Sequence, residues 1–429
     1  MDSVEELARR AKDASYRLQA MPATKRNEAL EAIAKAIAAQ RKHLLDANLE
    51  DVRRSEAEGL SKVLIKRLRF DEEKVEESVR MLHSLMGQED PLNKVLARSE
   101  LDEGLILEKV TCPIGVMGVI FEARPEALVQ ISSLCLKSGN AVLLKGGSEA
   151  RSTNEALARC ISEAIIQVDA AFEGAVQLLS TREEVHALLA QDRYVDLIIP
   201  RGSNELVRSI QSSTRIPVLG HAAGICHTFV DKGADLDMAI KVCFDAKVQY
   251  PAVCNAMETL LVHSAIAKEF LPRMAKHYAD AKVQLRGDVR TREIVPMQEA
   301  CAADWDAEYN DLILSIMVID SLPEAVRFIN LHGSHHTDAI ITREEAAAHF
   351  FMDHVDSSSV LWNCSTRFAD GYRYGLGAEV GISTNKTHAR GPVGLEGLII
   401  YKWKLVGHGH VVADYAGKNA KQYTHRKML

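Results

Sequence analysis

No CxxC pair, no GxxxxGK(S/T) loop and no GxGxxG after a strand occurs in these 429 residues, and no apolar stretch is long enough to cross a bilayer. Each absence removes a class of protein. The eight cysteines, at 112, 135, 160, 226, 243, 254, 301 and 364, have no short regular spacing, which argues against a zinc knuckle and against a disulfide framework. Without the Walker loop that type of nucleotide site is not expected, and the glycines of GLGAEVG (375–381) are wrongly spaced for a dinucleotide fingerprint. The most apolar run, VTCPIGVMGVIF (110–121), is short and broken by Gly and Pro, so no membrane partner is expected. There is no basic block interleaved with aromatics, and the net charge is −7, so no nucleic-acid partner is expected either. The opening MDSVEELARRAKDASYRLQA lacks the apolar core and small-residue cleavage site of a signal peptide, which leads us to expect a cytoplasmic protein.

What is present suggests several domains, because single cores stop growing at roughly 250 to 300 residues. The first ninety-odd residues are a helical prelude: Ser3 and Glu6 form a capping box, and residues 27–59 carry apolar side chains at helical spacing until Gly59. From Val116, short β-branched runs (VMGVIF, AVLLKG, AVQLLS, VDLIIP, HTFVD) alternate with amphipathic helices, the pattern of a mostly parallel, doubly wound sheet. A second α/β series follows residue 225. RSELDEGLILEKVTCP (98–113) reads as an exposed hairpin, and the tail YKWKLVGHGHVVADY is free to pair with it or with another subunit.

Two loops leave a strand for a helix through small residues: Lys145, Gly146, Gly147 and Ser148 in one, Arg201, Gly202 and Ser203 in the other. Such a loop is either a turn with an N-cap or a set of amides presented to an anion, and two at one sheet edge favour a dinucleotide site. His332, His335 and His336 give no third ligand at fitting spacing, so no metal is expected, and His408 and His410 read as solvated tail residues. Cys254, in QYPAVCNAMETLLVH, follows Pro251 and precedes a strand. It is either a buried packing thiol or a nucleophile beside free backbone amides.

YPAVCNAMETLLVH, IIPRGSNELVRSI, PVLGHAAGICHTFVD, LHGSHHTDAI and VLWNCSTRFADGYRYGLGAEVGISTNKTHARGPVGLEGL together resemble the gamma-glutamyl phosphate reductase (glutamate-5-semialdehyde dehydrogenase) family of the aldehyde dehydrogenase superfamily. The resemblance covers nearly the whole chain. It implies two doubly wound α/β domains plus a small β oligomerisation flap: residues 1–97 and 114–225 binding the cofactor, 226–398 catalytic, 98–113 and 399–429 forming hairpin and tail. By the same resemblance Cys254 is the nucleophile, with its own amide and Asn255 stabilising the oxyanion. Lys145, Gly146, Gly147 and Ser148 hold the adenosine ribose and 2′-phosphate of NADPH, Gly202 and Ser203 its pyrophosphate, and Glu308 its nicotinamide ribose.

The implied reaction is NADPH-dependent reduction of γ-glutamyl phosphate to glutamate 5-semialdehyde through a Cys254 thioester, in proline biosynthesis. Its product cyclises to pyrroline-5-carboxylate. PVLGHAAG lacks the acid that hydrolytic relatives use as a base, which suits an enzyme that must keep water from a thioester. Phe328 and Val253 depart from the family signature. An anionic substrate needs cations, and Arg124, Arg367 and Arg390 are candidates, each equally readable as a loop-bridging arginine. Ser383 and Thr384 are candidate donors to the substrate, and Glu379 either receives its ammonium or pins Arg373. A homo-oligomer is expected. A glutamate 5-kinase, fused to this domain in other organisms, would be a separate partner. The rivals are a hydrolytic aldehyde dehydrogenase and a non-enzymatic module that kept the fold.

Overall fold

The computed structural model describes residues 3–122, 124–181, 183–221 and 223–429. The prelude comprises α1 (Val4–Gln19), α2 (Ala23–Ala39), α3 (Arg41–Ala57), α4 (Lys62–Leu68) and α5 (Glu72–Met86). Ser3 caps α1 as its sequence indicates, its Oγ accepting from Glu6 N at 3.2 Å. The apolar run 27–59 is not one helix, because the chain turns at Gln40 (φ −92°, ψ 10°) and α2 and α3 both fold onto the same later helix. Gly59 ends α3 at φ +79°, a conformation open to glycine at little cost.

The hairpin strands β1 (Val95–Asp102) and β2 (Leu105–Pro113) lead into β3 (Val116–Phe121), α6 (Pro125–Lys137), β4 (Ala141–Lys145), α7 (Arg151–Val168), β5 (Val176–Leu179), α8 (Glu183–Leu189), β6 (Leu197–Arg201) and α9 (Asn204–Ser213). A parallel sheet of order β5-β4-β3-β6 results, with Ile120 beside Lys145 and Phe121 beside Arg201, so these strands finish at one edge. Its core takes in the prelude (Leu18, Leu30, Ile33) and the sheet (Val119, Leu143, Ile198). Ala378, Val380, Val393 and Leu398 also pack there, so the end of the segment assigned to the catalytic domain returns to the first core.

The second unit runs β7 (Cys226–Val230), α10 (Leu236–Val248), β8 (Met257–His263), α11 (Ser264–Asp280), β9 (Gln284–Gly287), α12 (Val289–Ile294), β10 (Gln298–Glu299), β11 (Ile313–Ile319), α13 (Leu322–His332), β12 (Thr337–Ile341), α14 (Glu345–His354) and β13 (Ser359–Trp362). Its seven strands are all parallel, in the order β10-β9-β11-β8-β7-β12-β13. The chain closes with the short pair β14 (Ile382–Ser383) and β15 (Gly391–Pro392), then β16 (Ile399–Val406) and β17 (Arg426–Lys427). The tail does pair with the hairpin: β16-β2-β1-β17 is an antiparallel sheet with Trp403 opposite Lys109. No described helix is long and apolar enough to cross a membrane.

Candidate active site

A cleft of about 1000 Å³ separates the ends of the first sheet's strands from the beginnings of the second's, with Phe121 and Arg201 on one side and Tyr250 to Asn255 on the other. Cys254 lies in the turn before β8, half-buried in the cleft wall. Gly224 passes directly against it: a Cβ there would stand 2.2 Å from Cys254 O and 2.5 Å from its Cα. At the base of the turn, Lys247 Nζ and Glu258 Oε2 form a fully buried ion pair at 2.5 Å, joining the end of α10 to the start of β8. Burial pushes Lys247 down and Glu258 up to about 7, and Glu258 Oε1 also accepts from Asn310 N at 3.2 Å. Removing one member of such a pair strands the other in the interior.

Asn255 is buried, and its Nδ2 donates to Ala369 O at 2.8 Å. Its side chain therefore braces the turn. The main-chain N–H groups of Cys254 and Asn255 find no acceptor among the described residues, and these are the donors at hand for an oxyanion. Among the candidate arginines, Arg124 and Arg367 line the cleft. Arg367 Nε donates to Gln249 Oε1 at 3.0 Å, and burial pulls its pKa down. Arg390 stands outside the lining, tied to Asp356 Oδ1 at 2.9 Å beside Lys386, which is the loop-bridging role. Ser383 is buried, its Oγ accepting from Asn385 N at 3.2 Å, and Thr384 N reaches Gly220 O at 3.4 Å. Neither belongs to the cleft lining, which the chain reaches at Gly381 and Ile382. Glu379 accepts from Gly371 N at 2.8 Å, and burial raises its pKa against the pull of Arg201. Arg373 is instead paired with Asp370 at 3.5 Å.

The two loops behave differently. Ser203 Oγ caps α9 by accepting from Leu206 N at 3.3 Å, while Ser203 N donates to Glu122 Oε2 at 3.2 Å, where a carboxylate occupies the position an anion would take. A Cβ on Gly202 would lie 2.7 Å from both Glu122 Oε2 and Leu206 Cδ2, so the backbone there stays bare. Glu308 Oε2 accepts from Asn204 Nδ2 at 2.7 Å, bringing it to the same corner. At the start of α7, by contrast, Asp51 accepts from Ser152 N (3.0 Å), Thr153 N (2.8 Å) and Thr153 Oγ1 (2.7 Å). That helix start is capped from within, and Arg54 links Asp51 to the carbonyls of Ser148 and Glu149. Lys145 Nζ is bonded to Gly146 O, and Lys145, Gly146, Gly147 and Ser148 stand beside the cleft rather than in its lining. The α9 corner therefore fits the phosphates of a dinucleotide, while at α7 the amides of Ser152 and Thr153 are already taken by Asp51.

Several residues in the cleft or next to Cys254 were not read as site residues from the sequence. Arg201 carries a buried Nη1 with no partner among the described residues, and burial lowers its pKa. Arg67, from α4, reaches the turn through Ala252 O at 3.4 Å, and nothing local to KRLRF signals that. His221 and His336 each bring an imidazole nitrogen that lies, with Cys254 Sγ, within a mutual 4.8 Å. Arg201 stands in a loop read for its glycine and serine, His221 in PVLGHAAG and His336 in a histidine group for which spacing offered no third ligand, so their signal was present without its geometry. A second cavity, about 820 Å³, is bordered by Glu56, Lys62, Arg69 and Lys74 and holds no cysteine or histidine.

The profile of the Aldehyde dehydrogenase family matches residues 1–311. Among curated proteins, the chain is 56% identical over 423 residues to a gamma-glutamyl phosphate reductase of Pelotomaculum thermopropionicum, covering 99% of this chain and 97% of that one. It is 53% identical to the one from Methanosarcina mazei, covering 100% and 98%. Of solved structures, the gamma-glutamyl phosphate reductase of Thermotoga maritima superposes with a TM-score of 0.93 at 38% identity, covering 96% of this chain and 100% of that one. An acetylating aldehyde dehydrogenase of Geobacillus thermoglucosidasius shares the fold at 16% identity and a TM-score of 0.64, covering 95% and 97%. With the thiol, the bare glycine corner and the two facing sheets already in place, these matches show that the chain belongs to the aldehyde dehydrogenase family and, within it, to the gamma-glutamyl phosphate reductases.

Proposed function

We propose that this chain reduces L-glutamate 5-phosphate to L-glutamate 5-semialdehyde and phosphate with NADPH, through a thioester on Cys254. The observation that carries the reading is the half-buried Cys254 in a cleft bordered by Arg67, Arg124, Arg201 and Arg367, a setting for an anionic acyl substrate. The imidazoles of His221 and His336 stand within reach of the thiol as proton acceptors. The thiolate attacks the acyl carbon, the carbon–oxygen bond to phosphate breaks, and inorganic phosphate leaves toward the arginines. The amides of Cys254 and Asn255 stabilise the oxyanion. NADPH, when bound, supplies the hydride that reduces the thioester carbonyl. The carbon–sulfur bond then breaks, the aldehyde departs and Cys254 regains its proton.

Gly202, Ser203, Asn204 and Glu308 are the residues we assign to the cofactor in the cleft, with Glu122 yielding Ser203 N to a phosphate. Lys145, with the Gly146–Gly147–Ser148 loop, would hold the adenosine end from beside the cleft and favour NADPH. The exposed strand β16 makes a homo-oligomer our reading of the assembly, in the cytoplasm, with the kinase that makes the acyl phosphate as a separate partner.

The test runs the reaction backwards, since acyl phosphates are labile. Pyrroline-5-carboxylate in equilibrium with its semialdehyde is supplied with NADP⁺, and cofactor reduction is followed with and without inorganic phosphate. Phosphate-dependent reduction that is lost in Cys254→Ala is the expected outcome. Turnover independent of phosphate would point to the hydrolytic rival.

A further inference from the structure

The starts of β8, β7 and β12 are neighbours in the second sheet, and each is preceded by a metal-ligating side chain: Cys254, His221 and His336 respectively. One imidazole nitrogen of each histidine and Cys254 Sγ lie within 4.8 Å of one another. The two rings meet edge to face with centroids 4.9 Å apart. His221 Nδ1 is 2.9 Å from Ile382 O. A carbonyl can only accept, so Nδ1 carries the proton and Nε2 keeps its lone pair, the arrangement of metal-binding histidines whose second nitrogen is fixed by a backbone oxygen. His336 is fully buried, with Nδ1 2.8 Å from Thr337 Oγ1 and 3.8 Å from Cys226 Sγ, and Nε2 without a partner among the described residues. A buried imidazole nitrogen left unsatisfied is costly, and a ligand at the cluster would relieve it.

We propose that His221, Cys254 and His336 form a site for a divalent cation of the Zn²⁺ class, which takes the Cys254 sulfur out of reach of substrate. Two imidazoles and a thiolate are zinc donors, and the cluster has no carboxylate to favour Mg²⁺ or Ca²⁺. Tetrahedral zinc with bonds of about 2.0 to 2.3 Å needs donors about 3.3 to 3.6 Å apart, so side-chain rotation of an ångström or so closes the site. Cys254 and His221 line the cleft, from which water can supply the fourth ligand. On binding, the Cys254 S–H proton goes to solvent and the sulfur–metal bond takes its place, with no change of oxidation state. The metal form is a reversible off state that a chelator reopens. Metal binding needs Cys254 only as a ligand and is tested without turnover, whereas the off state rests on the reaction proposed above.

The test uses the full chain, without a histidine tag, freed of metal by chelator and titrated with Co²⁺. Wild type is expected to show a thiolate-to-cobalt charge-transfer band that saturates at one equivalent and is bleached by Zn²⁺. The band is expected to vanish in Cys254→Ala, and His221→Asn should weaken Co²⁺ binding about 10- to 100-fold. No band in wild type, or an undiminished band in Cys254→Ala, overturns the proposal. A second readout needs no variant. Zn²⁺, but not Mg²⁺, should slow iodoacetamide labelling of Cys254 in wild type at least tenfold, followed by peptide mass spectrometry, and an unchanged rate also overturns it.

Discussion

Arg201 and Arg390 illustrate how side-chain environment, rather than residue type, decides which cation meets a substrate. The buried Nη1 of Arg201 lacks an acceptor among the described residues, whereas Arg390 is already tied to Asp356 on an outer loop. A charge-assisted hydrogen bond is worth about 1.5 to 3 kcal/mol. Arg201→Ala is therefore expected to lower kcat/KM for the acyl phosphate by about 10- to 100-fold, while Arg390→Ala leaves it within about twofold. Steady-state kinetics on the two variants checks this, and equal losses would remove Arg201 from the substrate site. Cys254, Gly202 and Ser203 were legible as candidates because each stands in a local pattern, and the structure places all three in the cleft lining. His221 was not, since its partner is a thiol 33 positions away along the chain, and spacing along the chain carries no information on that meeting.

Within the elements, the turn before β8 is held by contacts that are backbone-deep. Gly224→Ala would drive a methyl group into the main chain of Cys254, which a rotamer change cannot relieve. The variant is expected to fold, by circular dichroism, yet lose most of its turnover. Full activity would show that the turn can move. A second element, the loop that carries Glu308, is anchored by Asp304. Burial favours its neutral form, but the amide of Cys301 and the side chains of Tyr309 and Arg286 outweigh that and hold its pKa at about 2, below its ordinary 3.8. A depressed carboxylate stabilises the fold above the unfolded pKa and loses that contribution as pH falls through the folded one. Asp304→Asn is thus expected to cost roughly 2 kcal/mol at pH 7 by urea unfolding, with the gap to wild type closing between about pH 4 and pH 2. A gap independent of pH would mean that shape, not charge, holds the loop. Periodicity read the strands well, but it merged α2 and α3, because the break at Gln40 serves their packing on α7 and leaves no Gly or Pro mark.

At the scale of the whole molecule, β16 is an edge strand that exposes Ile400, Tyr401, Trp403, Leu405 and Val406. An edge of this kind is open to further pairing. Trp403→Lys is expected to shift the chain toward monomer by light scattering after size-exclusion chromatography, and an unchanged mass would place the subunit contact elsewhere. The sequence alone determined the alternation of strands and helices, hence two parallel sheets, because side-chain period and turn chemistry are local properties. It also marked Cys254 and the Gly202–Ser203 corner, whose chemistry lies in consecutive residues. Only the tertiary structure decided which donors are free. Asp51 closes the start of α7, Asp356 takes Arg390, and the packing of α4 and the two sheets gathers Arg67, Arg201, His221 and Cys254 in one cleft. The physical reason is that whether a polar group is satisfied or available depends on partners brought from distant parts of the chain by the packing of the two cores.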